Sequence, residues 1–270
     1  MSRPKLPGTP QTPRDFVHQD PWSMLRAYTN ARIALGRAGV SMTTAEQLKF
    51  QLAHAQARDA VHLPLDKERL FADVRSLGLK VLDLRSRAEN RETYLLRPDL
   101  GRRLDDVSRE LLKEREENER PDLALVVSDG LSTSAVQRNV KPFLETFLPL
   151  AAQRDLRLSP VCFVSMGRVA VADEVGFLLG TRATVILIGE RPGLSSPDSM
   201  GAYMTYGPEV GLTDERRNCI SNIRPEGQAY AEAARTLDYL VTQALAKGIS
   251  GVELKDDQAL PAEGQAELGA

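Results

Sequence analysis

Three short apolar runs constrain this chain more than any other feature. Residues 123–127 (LALVV), 161–165 (VCFVS) and 184–190 (TVILIGE) are almost uninterrupted aliphatic stretches. A strand that is apolar on both faces has to be buried on both, which is the habit of parallel sheets covered by crossover helices. Stretches of helical character separate the runs: 132–154 (STSAVQRNVKPFLETFLPLAAQR) and 169–180 (VAVADEVGFLLG). The first of these is expected to break near Pro142. YMTY (203–206) and GVEL (251–254) are candidate further strands, and 226–248 reads as a long helix closed by Lys247 and Gly248. The expected fold is α/β: a Rossmann-like parallel sheet with helices on both faces over residues 118–255, after an N-terminal helical region at 20–117.

In that N-terminal region, 42–62 (MTTAEQLKFQLAHAQARDAVH) offers Thr43 or Thr44 as N-cap, with Glu46 or Gln47 at capping-box spacing. Residues 66–84 (DKERLFADVRSLGLKVLDL) read as amphipathic, and 97–120 opens on a Pro-Asp turn and ends in a charged run, a solvated helix face. Residues 1–19 read as a disordered Pro-rich leader without the apolar core of a secretory signal, and 256–270 as a loose tail.

Composition removes several classes. Net charge is −2, so no basic field suggests nucleic acid. No apolar run approaches the ~20 residues needed to span a bilayer. With only Cys162 and Cys219 there is no disulfide scaffold, and a cytoplasmic protein is the default. There is no P-loop, no GxGxxG after a strand and no metal-ligand spacing of Cys and His. His18, His54 and His62 all lie in the N-terminal part, so a nucleophilic Ser128 or Ser132 has no base at hand, and no GxSxG elbow occurs.

In an open α/β sheet, ligands bind at the carboxyl ends of the strands. Three loops fall there: SDGLSTSA (128–135), SMGRVAVAD (165–173) and GERPGLSSPDSMG (189–201). The first offers Gly130, hydroxyls and backbone N–H groups to an acceptor at a helix N-terminus. The bland alternative is that Asp129 caps a helix and Arg191 makes a surface pair. Glu190 is a lone carboxylate at the end of an apolar strand, suited to accept from amide N–H groups. With no evident acid–base pair, these loops suggest a docking surface rather than a reaction centre. Cys162 belongs to a strand core, and Cys219 is by its type a small buried residue.

The segments ARIALGRAG, HAQARDAVH, LVVSDGLSTSAVQ, RVAVADEVG, VILIGERPGLSSPDSMGAYMTYGPE and RNCISNIRPEG closely resemble the small (light) subunit family of ethanolamine ammonia-lyase. The resemblance runs from about Asp20 to Val252. It implies a non-catalytic subunit of an adenosylcobalamin-dependent lyase that converts ethanolamine to acetaldehyde and ammonia. It further implies a TIM-barrel large subunit as partner, several large/small pairs in one hetero-oligomer, and cobalamin enclosed between the two subunits. Val169, Glu190 and Cys219 match the family's cobalamin contacts, and the Ser128-Asp129-Gly130 corner is expected at the rim of that site. The chain lacks DxHxxG, so dimethylbenzimidazole is expected to remain the lower ligand of cobalt. Residues 20–39, with Trp22, Leu25, Tyr28, Ile33 and Leu35 beside Arg26, Arg32 and Arg37, are expected to grip the large subunit. The leader is a candidate packaging segment for a bacterial microcompartment, although it shows no amphipathic helix. The alternative from another class is a free-standing Rossmann-like module binding a nucleotide or cofactor.

Overall fold

The computed structural model describes residues 17–29, 31–114 and 120–257. The expected leader and tail lie almost wholly outside the described residues. The chain divides into two units, Met1–Gln56 and Ala57–Ala270.

In the first unit, β1 (Val17–His18), β2 (Arg37–Ala38) and β3 (Ser41–Met42) form a small antiparallel sheet. Residues Ser23–Ala27 make a 3-10 turn. Among the described residues of 20–42, this 3-10 turn is the one helical element, so the α-helical reading of that stretch is corrected. Ala38 pairs with Ser41 across Gly39 and Val40, and Gly39 at φ 62° supplies the left-handed backbone of this two-residue hairpin. Helix α1 (Thr44–His62) begins in this unit and runs into the second. Thr43 is its cap, as expected: its hydroxyl accepts from the Glu46 N–H at 3.4 Å.

The second unit is built on one six-stranded sheet. Its strands are β4 (Val81–Arg85), β5 (Leu123–Ser128), β6 (Val161–Ser165), β7 (Ala183–Gly189), β8 (Met200–Tyr206) and β9 (Arg217–Ile223). They lie in the order β4-β6-β5-β7-β8-β9. The first four are parallel; β8 runs antiparallel to β7, and β9 antiparallel to β8. The expectation of a purely parallel sheet is thus corrected to a mixed one. The reason is local: a parallel connection needs a crossover of a dozen or more residues, usually helical, and only a helix-free loop joins β7 to β8. Every residue of β5, β6 and β7 is buried, as their apolar runs required.

Among the described residues there are seven α-helices. After α1 come α2 (Lys67–Ser76), α3 (Arg91–Leu96), α4 (Asp106–Lys113), α5 (Thr133–Gln153), α6 (Val171–Leu179) and α7 (Tyr230–Lys247). Helix α5 runs unbroken through Pro142 and Pro149, against expectation. Its apolar stripe, including Val136, Val140, Phe143, Leu144 and Phe147, is buried in the larger core, and each such side chain contributes about 1.5–3 kcal/mol. That burial outweighs the hydrogen bonds the prolines remove. Strand β4 lies inside the stretch read as helical. GVEL forms a 3-10 turn at Gly251–Glu253 rather than a strand, where Gly251 holds φ 73° against the backbone of Glu215 and Arg216.

The two faces of the sheet are covered unequally. On one, α2, α5 and α7 pack over a core that reaches from Val161 and Phe163 to Met200, Ile220 and Ile223. On the other, α4 packs on α6, and α6 packs on β5 and β7 around Val126, Cys162, Val164, Val175 and Ile186. Gly176 permits that approach, since a Cβ there would meet the Thr184 methyl at 2.1 Å. At β9, α6 engages Arg217 through Asp173. Farther along this second face, Tyr203 of β8 is only half-buried, and Cys219 and Ser221 of β9 are exposed. The expected cover on both faces is therefore incomplete over β8 and β9.

Candidate functional site

The corner after β5 is held by its own side chains. Ser128 Oγ accepts from the Gly167 N–H at 3.0 Å, and Asp129 Oδ1 accepts from the Met166 N–H at 2.6 Å. Met166, a non-glycine residue at φ 56°, spends backbone strain to aim that N–H. Burial pushes the Asp129 carboxyl up, against the nearby Arg91 guanidinium at 3.5 Å, which pulls it down. Arg91 also donates to the carbonyls of Val61, Gly130 and Leu131. The cap of α5 is Ser132, not Asp129: its Oγ accepts from the Ala135 N–H at 3.2 Å and donates to the Pro197 carbonyl at 2.8 Å. The side-chain oxygens of Ser128, Asp129 and Ser132 are thus already engaged within the protein.

Asp129 and Thr133 of this loop line one cavity, and Leu131 faces another. Leu131 lines this second one, a depression of about 190 Å³, together with Tyr94, Arg168, Val169, Ile188, Gly189, Glu190, Arg191 and Tyr203. Two of the three residues singled out from the sequence, Val169 and Glu190, therefore meet here, brought from the β6–α6 and β7–β8 loops. Cys219 is not in the lining but stands beside it: it pairs with Tyr203 across β8 and β9, and the Tyr203 hydroxyl interacts with its thiol.

Glu190 is oriented by β8 and β9. Its carboxylate accepts from the Ser199 hydroxyl, from Ser221 Oγ at 2.7 Å and from the Asn222 N–H at 3.2 Å. Asn222 is a second left-handed residue, at φ 60°, and its N–H is likewise aimed at a carboxylate. Gly201 leaves room for the carboxylate, because a Cβ there would lie 2.9 Å from Glu190 Oε1. A carboxylate has about four acceptor positions, so three protein donors leave one for a ligand. Cys219 shows surface to solvent, yet its thiol is desolvated enough to be pushed up from 9.0; the Glu190 charge adds to this and the Tyr203 hydroxyl opposes it. The thiol is therefore neutral at pH 7. Tyr203 is also raised, by burial first.

Tyr94, Arg168 and Tyr203 were not picked out from the sequence. Tyr94 is fully buried, donates to the Gly167 carbonyl at 3.1 Å and is pushed up to about 12 by burial. Arg168 stacks on its ring, 4.2 Å from the centroid. His18, His54 and His62 are absent from the lining of the depression.

Beneath the site, α6 is fixed by two buried acids. Arg217 of β9 pairs with Asp173 and, at 2.8 Å, with Asp214. Glu174 accepts from Arg103 at 3.0 Å, Arg109 at 2.8 Å and the Leu104 N–H at 2.8 Å. Burial raises the Glu174 carboxyl, but these donors outweigh it and hold the group below its ordinary 4.5. A carboxyl with a lowered folded pKa stabilises the fold above its unfolded pKa, and that contribution disappears as pH falls through the folded value. Acid titration of urea stability should thus fall more steeply below about pH 4.5 for wild type than for Glu174→Gln. Equal slopes would remove Glu174 as an acid-sensitive tie. The comparison has to be between variants, because Asp129 and Asp173 are both raised and titrate in the opposite sense.

The fold and this site define an α/β protein with an incompletely covered strip of sheet beside a small depression whose polar groups are mostly satisfied from within. Residues 19–255 match the family model described as "Ethanolamine ammonia-lyase light chain (EutC)". The chain is 57% identical to the ethanolamine ammonia-lyase small subunit of Azotobacter vinelandii over 246 residues, 90% of this chain and 91% of that protein. It is 54% identical to that of Xanthomonas campestris pv. campestris, over 94% of this chain and 93% of that protein. With that of Pseudomonas fluorescens identity is 55%, covering 93% of each. The chain belongs to the ethanolamine ammonia-lyase light chain family.

Proposed function

We propose that this chain is the small, non-catalytic subunit of an ethanolamine ammonia-lyase, and that its carboxyl-edge depression and the open strip of β8 and β9 form one wall of an adenosylcobalamin site. The large subunit supplies the opposite wall and the substrate site. The observation that carries this reading is the convergence of Val169 and Glu190 on one depression beside Cys219, in a chain of this family. The four parallel strands, with α5 and α6 crossing on opposite faces, support a Rossmann-like reading of the core.

The donor set fits such a cofactor. Leu131, Val169, Ile188 and Tyr203 offer an apolar wall that excludes water. Glu190 has an acceptor position left for an amide N–H of the corrin side chains. The neutral Cys219 thiol packs as a small apolar group rather than acting as a metal ligand. When bound, adenosylcobalamin supplies the homolytic chemistry, and protein supplies orientation and exclusion of solvent. The exposed Trp22 and Tyr28, at 66% and 87%, are anchors for the large subunit in this reading. Several large/small pairs make up the assembly, and residues 1–19 stand as a candidate packaging segment for a bacterial microcompartment.

Gel filtration of this chain, the large subunit and cyanocobalamin is the direct test. The cobalamin absorbance should travel with the two-subunit complex and with neither chain alone. Full retention by the large subunit alone would favour the free-standing binding module instead.

A further inference from the structure

Arg168 and Arg191 are the two cations of the depression, and neither has a carboxylate partner among the described residues. Nearby arginines differ: Arg91, Arg103, Arg109 and Arg217 are all paired with acids. The one carboxylate of the depression, Glu190, is turned to Ser199, Ser221 and Asn222.

Arg168 is also held in place. Its backbone N–H donates to the Gly101 carbonyl at 2.7 Å, and its Nη2 donates to the Tyr94 carbonyl at 3.0 Å. Its guanidinium lies over the Tyr94 ring, and Gly101 leaves space for its side chain, since a Cβ there would sit 2.8 Å from Arg168 Cγ. Yet its Nε is buried without a hydrogen-bond partner. Arg216 and Arg217 carry the same orphaned Nε, so what sets Arg168 apart is that its fixed, acid-free guanidinium lines the depression. A planar, pre-organised guanidinium recognises a phosphate better than an amide or a hydroxyl.

We propose that Arg168, with Arg191 at the rim, binds the phosphodiester that joins the corrin to its nucleotide tail. This rests on the cofactor reading above. The phosphodiester is the tail's negatively charged group, whereas the corrin side chains are neutral amides. Arg168 therefore acts as a binding and positioning residue, while Glu190 serves the amides.

The test uses the complete complex and reads affinity rather than turnover. Equilibrium dialysis would compare cyanocobalamin with dicyanocobinamide, which keeps the corrin amides but lacks the phosphodiester and nucleotide. Arg168→Gln should weaken cyanocobalamin about 10- to 100-fold, the value of one or two charge-assisted hydrogen bonds, and change dicyanocobinamide less than about threefold. Arg168→Lys should recover part of the loss. Arg191→Gln, at an exposed position that leaves the fold alone, should show the same selectivity with a smaller effect. Equal losses for both ligands would overturn the proposal, because Arg168 would then act only through the shape of the depression. Unchanged affinity in both arginine variants would overturn it too. If Glu190→Ala still weakened both ligands in that case, the cofactor reading would survive; if it did not, that reading would fall as well.

Discussion

Gly189→Ala is expected to cost about 4 kcal/mol or more and to abolish soluble expression. Gly189 ends β7 where the corner after β5 crosses it. A Cβ there would stand 2.0 Å from the Ser132 carbonyl oxygen and 2.6 Å from that of Asp129. Both are backbone atoms, so no side chain can swing aside. The clash would also break the hydrogen bond from Leu131 N–H to the Gly189 carbonyl, 2.9 Å in length. Total stability of a domain is about 5–15 kcal/mol, so a loss of this size leaves little margin. The contrast is Gly207→Ala, where φ is 59° but nothing lies within 4 Å; strain alone should cost about 1 kcal/mol. Urea denaturation and soluble yield measure both. A Gly189→Ala protein within about 1 kcal/mol of wild type would mean that the corner and β7 are not in contact.

Cys219→Trp is expected to leave the fold intact and to lower lyase turnover of the complex about 100-fold, the scale of a misplaced reacting group. Cys219 is exposed on the edge strand β9, so an indole there meets no core. It would instead fill the strip beside Tyr203 that the cofactor reading requires to be open. Cys219→Ala should keep nearly full turnover, because a raised, neutral thiol serves as packing. A large loss in Cys219→Ala would assign the thiol a chemical role. Full turnover in Cys219→Trp would show that the strip is not part of the site.

The central strands were legible because burial on both faces leaves an unmistakable apolar run, as in LALVV and TVILIG. Strand β9 was not: of its residues, Arg217, Ile220 and Ile223 are buried, while polar Asn218, Ser221 and Asn222 lie between. That pattern reads as a loop. Strand β4 was hidden because VLDLR follows α2 closely and continues its mixed polar and apolar character. Helix α5 was misread at Pro142 because local propensity was overridden by tertiary burial of its stripe. In the depression, Glu190 stands out in the sequence as a lone carboxylate at the end of an apolar strand, whereas Val169 is suggested only by the family resemblance. Tyr94 and Arg168 were not legible, since their stacking joins residues 74 apart with no shared local pattern. The available signal was the arginine directly before Val169 in GRVAVAD. The SDG corner looked like a ligand cradle because the same residue types also make good internal ties, and here Met166, Gly167 and Ala135 take them.

Reconstitution tests the central claim most directly. This chain would be titrated into a fixed amount of large subunit with adenosylcobalamin and ethanolamine, and acetaldehyde followed. The account predicts essentially no product without the chain and a rise that saturates once every large subunit is paired. Full acetaldehyde production by the large subunit alone would contradict it.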